Sequence, residues 1–200
     1  VYDVTFNPDS DLVAVSIGRS GNGGTNGQVF LIQVSDGSNL HSLNPNSEDR
    51  FYASAFSPDG QFIALAGNGD FYVANVTSQQ TMSSVSSPPA AINNIAWSPD
   101  GNYIAMCGGW EGSSASVDMY EYTGSSWSVA WGFQTTTSCA SVEFSPDGRH
   151  IAAGLYWYGA DAVTTYIAET ETGVQIDNFS GPQPGGCTGF GGSTNCASST

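Results

Sequence analysis

The groups in this 200-residue chain that could do chemistry are its carboxylates, two histidines and four cysteines, and their placement decides which chemistry is open to them. Asp9, Asp59, Asp100 and Asp147 could be taken for a catalytic carboxylate set. Each, however, stands in the same local setting: Phe6-Asn7-Pro8-Asp9-Ser10, Phe56-Ser57-Pro58-Asp59-Gly60, Trp97-Ser98-Pro99-Asp100-Gly101 and Phe144-Ser145-Pro146-Asp147-Gly148. Pro8, Pro58, Pro99 and Pro146 preset φ at the first turn position, the aspartate bonds its own backbone, and Gly60, Gly101 or Gly148 takes the left-handed conformation that closes a hairpin. These aspartates are turn residues. In the first repeat Ser10 replaces glycine, so that turn either differs or holds a strained φ costing roughly 1 kcal/mol.

Neither histidine belongs to a nucleophile or metal motif. His150 directly follows a hairpin and reads as an exposed strand residue rather than a general base, and His41 has no ligand-spaced neighbour. The glycine-rich run Gly18 to Gly27 resembles a phosphate loop in composition alone, because it joins two strands and no helix follows to supply a dipole. No Gly-x-Ser-x-Gly elbow occurs. Catalytic, cofactor-binding and metal-ligating residues are therefore all assigned as none. Trp110-Glu111 and Tyr156-Trp157-Tyr158 fall in equivalent loops, where aromatics serve either as a partner or carbohydrate surface or, more commonly, as packing between repeats.

The aromatic-Pro-Asp units recur 50, 41 and 47 residues apart, a period of propeller blades or solenoids. An alternating apolar segment such as Ile92 to Trp97 precedes each turn and a mostly apolar one such as Tyr103 to Met106 follows it, as two paired strands require. A third strand is read at 29–34, 71–74, 117–120 and 163–167, and a weaker fourth at 127–131 and 173–177. The expected fold is all-β, a β-propeller of four-stranded antiparallel blades with four repeats visible, at about 1–50, 51–91, 92–137 and 138–180, followed by a Gly/Pro/Ser-rich tail at 181–200. No stretch of helical period competes.

The apolar strand, the Ser-Pro-Asp-Gly hairpin, the Ile-Ala step and a third strand ending near Thr-Gly (Thr123-Gly124, Thr172-Gly173) resemble WD40 and WD40-like propeller repeats over residues 1 to about 180. The Trp-Asp pair that ends the third strand in that family and its opening Gly-His pair are absent. TolB-like and lactonase-like propellers share the hairpin, so the resemblance implies an architecture that hosts binding scaffolds and enzymes alike.

Composition narrows the partners. The chain has no lysine, three arginines and a net charge of −15, so it cannot assemble the basic patch that nucleic-acid binding requires, and anionic membrane surfaces are disfavoured with it. No segment is long and apolar enough to insert in a bilayer, and no signal peptide is visible. Val1 already begins a strand, the expectation being a mature product, a fragment or a segment of a longer chain.

Cys107 ends the second strand of blade three and Cys139 opens the first strand of blade four, so a disulfide there staples two blades. Cys187 and Cys196 flank a flexible glycine-rich loop and are expected to pair. The alternative is four unpaired thiols of a cytosolic protein. Metal binding lacks the Cys-x-x-Cys spacing. Two sequons, Asn75-Val76-Thr77 and Asn178-Phe179-Ser180, are placed at strand ends on the blade rim, where a glycan has room. The serines of 83–89 and 198–200 read as solvated loop or as sites for O-linked sugars. Cysteine pairing, sequon placement and lysine depletion together point to an extracellular, secreted protein.

Four blades of this type form an arc rather than a ring, which leaves two blade faces bare. Three resolutions are open: a longer propeller, copies that complete each other, or an unusually small ring. The function expected is a non-catalytic building block whose partner is protein, in the first place copies of itself, with glycans as additional partners, no nucleic acid, no membrane insertion and no cofactor. The first alternative is a fragment of a lactonase-like or hydrolase propeller; the second is an intracellular WD40 adaptor.

Overall fold

The computed structural model describes residues 1–17, 27–44, 50–67, 70–86, 91–109, 115–135, 137–156 and 163–180. Among them every helix or strand element is a strand, and the strands form four four-stranded antiparallel sheets, each a propeller blade. Blade one holds β1 (Asp3–Phe6), β2 (Leu12–Ile17), β3 (Gln28–Gln33) and β4 (Asn39–Leu43). Blade two holds β5 (Phe51–Phe56), β6 (Phe62–Gly67), β7 (Asp70–Asn75) and β8 (Thr81–Ser86). Blade three holds β9 (Ile92–Trp97), β10 (Tyr103–Gly108), β11 (Ser116–Tyr122) and β12 (Trp127–Gln134). Blade four holds β13 (Cys139–Phe144), β14 (His150–Leu155), β15 (Val163–Glu169) and β16 (Gln175–Ser180). Two sequence expectations change here. Ser83 to Ser86 belong to β8 rather than to a loop, because they pair with β7 as far as Asp70. Asn178 lies inside β16, opposite Tyr166, rather than at a strand end.

Pairing register repeats from blade to blade and sorts the side chains onto two faces, since residues opposite one another in an antiparallel pair share a face. One face carries the rows Phe56–Ile63–Ala74, Trp97–Ile104–Tyr120 and Phe144–Ile151–Ala168, led by a bulky aromatic. The other carries Ala55–Ala64–Val73 and Ala96–Ala105–Met119, led by alanines. The bulky face of each blade packs on the small-residue face of the blade before it.

Three apolar clusters result. Leu31 and Val29 meet Phe56, Ile63 and Leu65 between blades one and two. Ala64 and Val73 meet Ile95, Ile104 and Tyr120 between blades two and three. Ala105 and Met119 meet Val142, Phe144 and Ile151 between blades three and four. Among the described residues no such cluster joins blade four to blade one, so the described run of blades is open, with three sealed junctions and two free ends.

Polar clasps reinforce two junctions near the axis. Ser54 donates its backbone N–H and its hydroxyl to Asp3 Oδ2, at 2.7 and 2.9 Å. At the matching step, Val142 donates its N–H to Asn94 Oδ1 at 2.8 Å. The third junction also carries a covalent link, Cys107 to Cys139, with Cα atoms 5.4 Å apart at a sequence separation of 32.

Candidate interaction surfaces

Three of the Pro-Asp turns are built alike. Ser57 Oγ donates to Asp59 Oδ1 at 2.6 Å and accepts the N–H of Phe62 at 2.9 Å, while Asp59 Oδ1 also accepts the N–H of Gln61. Ser98 and Asp100 repeat the arrangement, as do Ser145 and Asp147. The serine hydroxyl, to which the sequence pattern alone assigns no role, is the hub of the turn. Burial raises Asp100, but the Ser98 hydroxyl and the Asn102 donors outweigh it and hold the carboxyl below its usual range. Asp147 is held lower still by the Ser145 hydroxyl and by Arg149, its partner at 2.7 Å. Carboxylates committed in this way are poor proton carriers at neutral pH.

Gly60, Gly101 and Gly148 have φ of 68°, 80° and 71°. A Cβ on Gly60 would meet Pro8 Cδ at an ordinary 3.6 Å, so backbone conformation rather than crowding selects glycine. Ser10 adopts φ 60° and donates its N–H to Asn7 O as Gly60 does to Ser57 O, so the first turn keeps its shape at the cost of strain. There Asn7 replaces the serine hub, its Oδ1 accepting the N–H groups of Asp11 and Leu12.

The remaining sequence-predicted positions are scattered. His41 Nδ1 lies 2.9 Å from Gln79 Nε2, across the first junction. His150 opens β14 and is half-buried. Asn75 ends β7 with its Oδ1 accepting from Thr77 N and Ser78 N, which turns the side chain inward against its own loop; Asn178 is exposed on β16. Tyr156 is exposed after β14. Trp110, Glu111, Trp157, Tyr158, the Gly18 to Asn26 part of the glycine-rich run, Cys187, Cys196 and the tail lie outside the described residues. Among the described residues no group of three or more His, Cys, Asp or Glu could hold a metal ion, and no helix is long and apolar enough to cross a membrane.

Two kinds of surface remain. The first is the pair of free ends. Blade one turns outward the rows Val4–Val15–Phe30 and Phe6–Val13–Ile32, the same bulky steps that are sealed elsewhere. Phe6 is 59% exposed, whereas Phe56 and Phe144 are 8% exposed. Blade four turns outward Glu143–Ala152–Ile167 and Ser141–Gly154–Thr165, the small-residue side.

The second surface is a cleft of about 310 Å³ between blades two and three, on the side of the turns. Phe62, Met82, Trp97, Tyr122 and Trp127 line it, with Asp59 and Asp100 at the turns. Trp97 and Trp127 meet edge to face at 5.5 Å, and Tyr122 and Trp127 are tilted against each other at 5.3 Å. Trp97 donates its indole N–H to Gly101 O, and Tyr122 its hydroxyl to Gly124 O. The rings are thereby anchored and their polar groups spent.

In blade three Asp118 sits where the other blades carry Phe30, Tyr72 or Tyr166. Burial raises it against the opposing hydrogen bond from Ser116, and burial together with the Asp118 charge pushes Tyr120 up to about 12.

With this geometry the comparisons agree. A family model described as Eukaryotic translation initiation factor eIF2A matches residues 25–183. No curated protein sequence matches. Among solved structures, Kuenenia stuttgartiensis Hydrazine Synthase superposes with a TM-score of 0.71 at 20% identity, over 88% of this chain and 48% of that one. A chain of the Crystal Structure of Mitotic Checkpoint Complex gives a TM-score of 0.71 at 15% identity, over 88% of this chain and 51% of that one. Both likenesses are of fold, and the chain spans about half the length of each.

Proposed function

The chain belongs to the eukaryotic translation initiation factor eIF2A family, and from that premise we propose that it is a non-catalytic protein-interaction module that associates through the free ends of its blade run, in the first place with copies of itself. The exposure of Phe6 carries this reading: the same repeat step is covered at both Phe56 and Phe144. A contiguous apolar face of blade size favours association. Blade four offers the small-residue half of the same junction, so blade one of one copy fits blade four of the next in a heterologous contact. Two copies supply eight blades, within the range over which propellers close. If the rotation does not close, the same contact propagates as a fibre.

The Cys107–Cys139 bond and the exposed Asn178 sequon support an extracellular setting, where disulfides persist and glycans are added. Intact mass of native material, with and without reductant and glycosidase, tests that part; free thiols and bare asparagines would reject it. A second reading, favoured by the family description, is an intracellular adaptor in translation. With three arginines and no lysine, any such role runs through protein contacts rather than RNA phosphates.

Association is tested by sedimentation equilibrium. The wild type should self-associate, Phe6→Asp and Ala152→Arg should each reduce it to monomer, and an equimolar mixture of the two variants should restore one junction. A wild type that stays monomeric at tens of micromolar overturns the proposal.

A further inference from the structure

The register places one residue of the outermost strand of blades one to three at the same step: His41 opposite Leu31 in blade one, Ser83 opposite Val73 in blade two and Trp131 opposite Met119 in blade three. The equivalence is secure because Leu31, Val73 and Met119 each pair inward with an alanine, Ala14, Ala64 or Ala105. From this step a side chain can cross the groove to the next blade. His41 does so, reaching Gln79. Trp131 does so with its whole indole, donating to Thr170 O at 2.7 Å and lying so close to Gly173 that a Cβ there would stand 2.6 Å from the ring. Ser83 is too short to cross. The groove it leaves unplugged is the cleft between blades two and three.

We infer that this unplugged groove is a binding site for an arginine side chain presented by a partner polypeptide, which inserts where Trp131 inserts one groove further on. The volume suits a long planar group. Tyr122, which is exposed, and the half-buried Trp97 offer π faces against the buried Trp127, since the polar groups of Trp97 and Tyr122 are already bonded within the chain. Asp59 and Asp100 supply negative charge at the turn end, and among the described residues no cationic side chain lines the cleft. Stacking on aromatic faces together with pairing to carboxylates is the recognition that guanidinium meets better than ammonium. A net charge of −15 draws cationic segments toward the surface. The site is independent of the free blade ends.

The test uses the intact chain and the peptide acetyl-Gly-Arg-Gly-amide, followed by NMR through the indole N–H signals of Trp97 and Trp127. Saturable shifts are expected with arginine, and at least tenfold weaker binding with citrulline, which keeps the planar shape without the charge. Ser83→Trp, which copies the plug of the neighbouring groove, should abolish binding and leave the thermal midpoint equal or higher. Asp59→Asn, which retains an acceptor for the turn, should weaken binding at least threefold and provides a reading even if Ser83→Trp does not fold. Equal binding of arginine and citrulline, no binding of either, binding undiminished in a folded Ser83→Trp, or stronger binding of a tryptophan peptide would each overturn the inference.

Discussion

Phe6 and Phe56 occupy the same step of the same repeat, and their surroundings could hardly differ more. Phe56 is sealed against Leu31 and Val29 of the preceding blade; Phe6 faces outward beside Val4 and Val13. At the other end of the run, blade four presents Ala152 and Gly154, with Glu143 where blades two and three have Ala55 and Ala96. A sealed junction is thus a bulky face on a small one, and the two free ends are its separated halves. Glu143 keeps the small half hydrated, while the bulky half has no such protection. Burial of a side chain here is decided by which blade stands next to it.

The contrast between sealed and free positions can be broken most forcefully at that pair. Phe56→Ala should cost about 3–5 kcal/mol through transfer and cavity terms. Phe6→Ala, measured at a concentration where the chain is dissociated, should cost less than about 0.5 kcal/mol. Urea unfolding of both variants checks this, and equal losses would show that the end of the run is covered in solution.

The junction between blades three and four is also covalently held. Replacing both Cys107 and Cys139 by alanine should lower stability by about 2–4 kcal/mol, by restoring freedom to the unfolded chain. Reduction of the wild type should reproduce most of that loss. An unchanged unfolding midpoint under reductant would mean that the apolar cluster alone seals the junction.

Asp118 is a carboxyl placed where the other blades use an aromatic, and burial raises it above its ordinary value of 3.8. The folded state therefore holds this proton more tightly than the unfolded state. The resulting stabilisation is fully present below 3.8 and is lost as pH rises through the folded value. Asp118→Asn should accordingly gain on the wild type in thermal midpoint as pH is raised from 3 to 7. A difference that is flat across that range would argue against a raised Asp118.

The smallest effect is expected at the first turn. Ser10 sits at φ 60° in a position the other repeats give to glycine. Ser10→Gly should stabilise by no more than about 1 kcal/mol, partly offset by the greater freedom of glycine in the unfolded chain. Gly60→Ser should destabilise by a similar amount. A larger loss at Gly60 would implicate its contact with Pro8 rather than φ.

Much of the fold is legible in the sequence because its determinants are local. Proline, aspartate and glycine at fixed offsets make a hairpin wherever they occur, and alternation on either side makes the strands it joins. Hence the all-β, four-blade reading follows from the residues alone, including the turns at Pro8, Pro58, Pro99 and Pro146. The turn serines Ser57, Ser98 and Ser145 are visible as repeated letters, but their role as hub depends on a strand N–H five residues on. Ser83 to Ser86 mislead, because a serine run has no strand propensity of its own and becomes β8 only by pairing with β7.

What only the tertiary structure decides is how blades meet. Alternation marks two faces on every strand without saying which one faces the preceding blade. The bulky-on-small rule, the clasp from Ser54 to Asp3 and the bridging of Cys107 to Cys139 all join residues far apart in sequence. The cleft is the clearest case. Ser83, His41 and Trp131 share no motif, and their equivalence comes from register across bulges in three different sheets. A one-residue shift in any of those pairings would send the side chain to the other face. Short-range backbone preferences therefore determine the blades, whereas the junctions and the groove depend on contacts that form only once the blades are stacked.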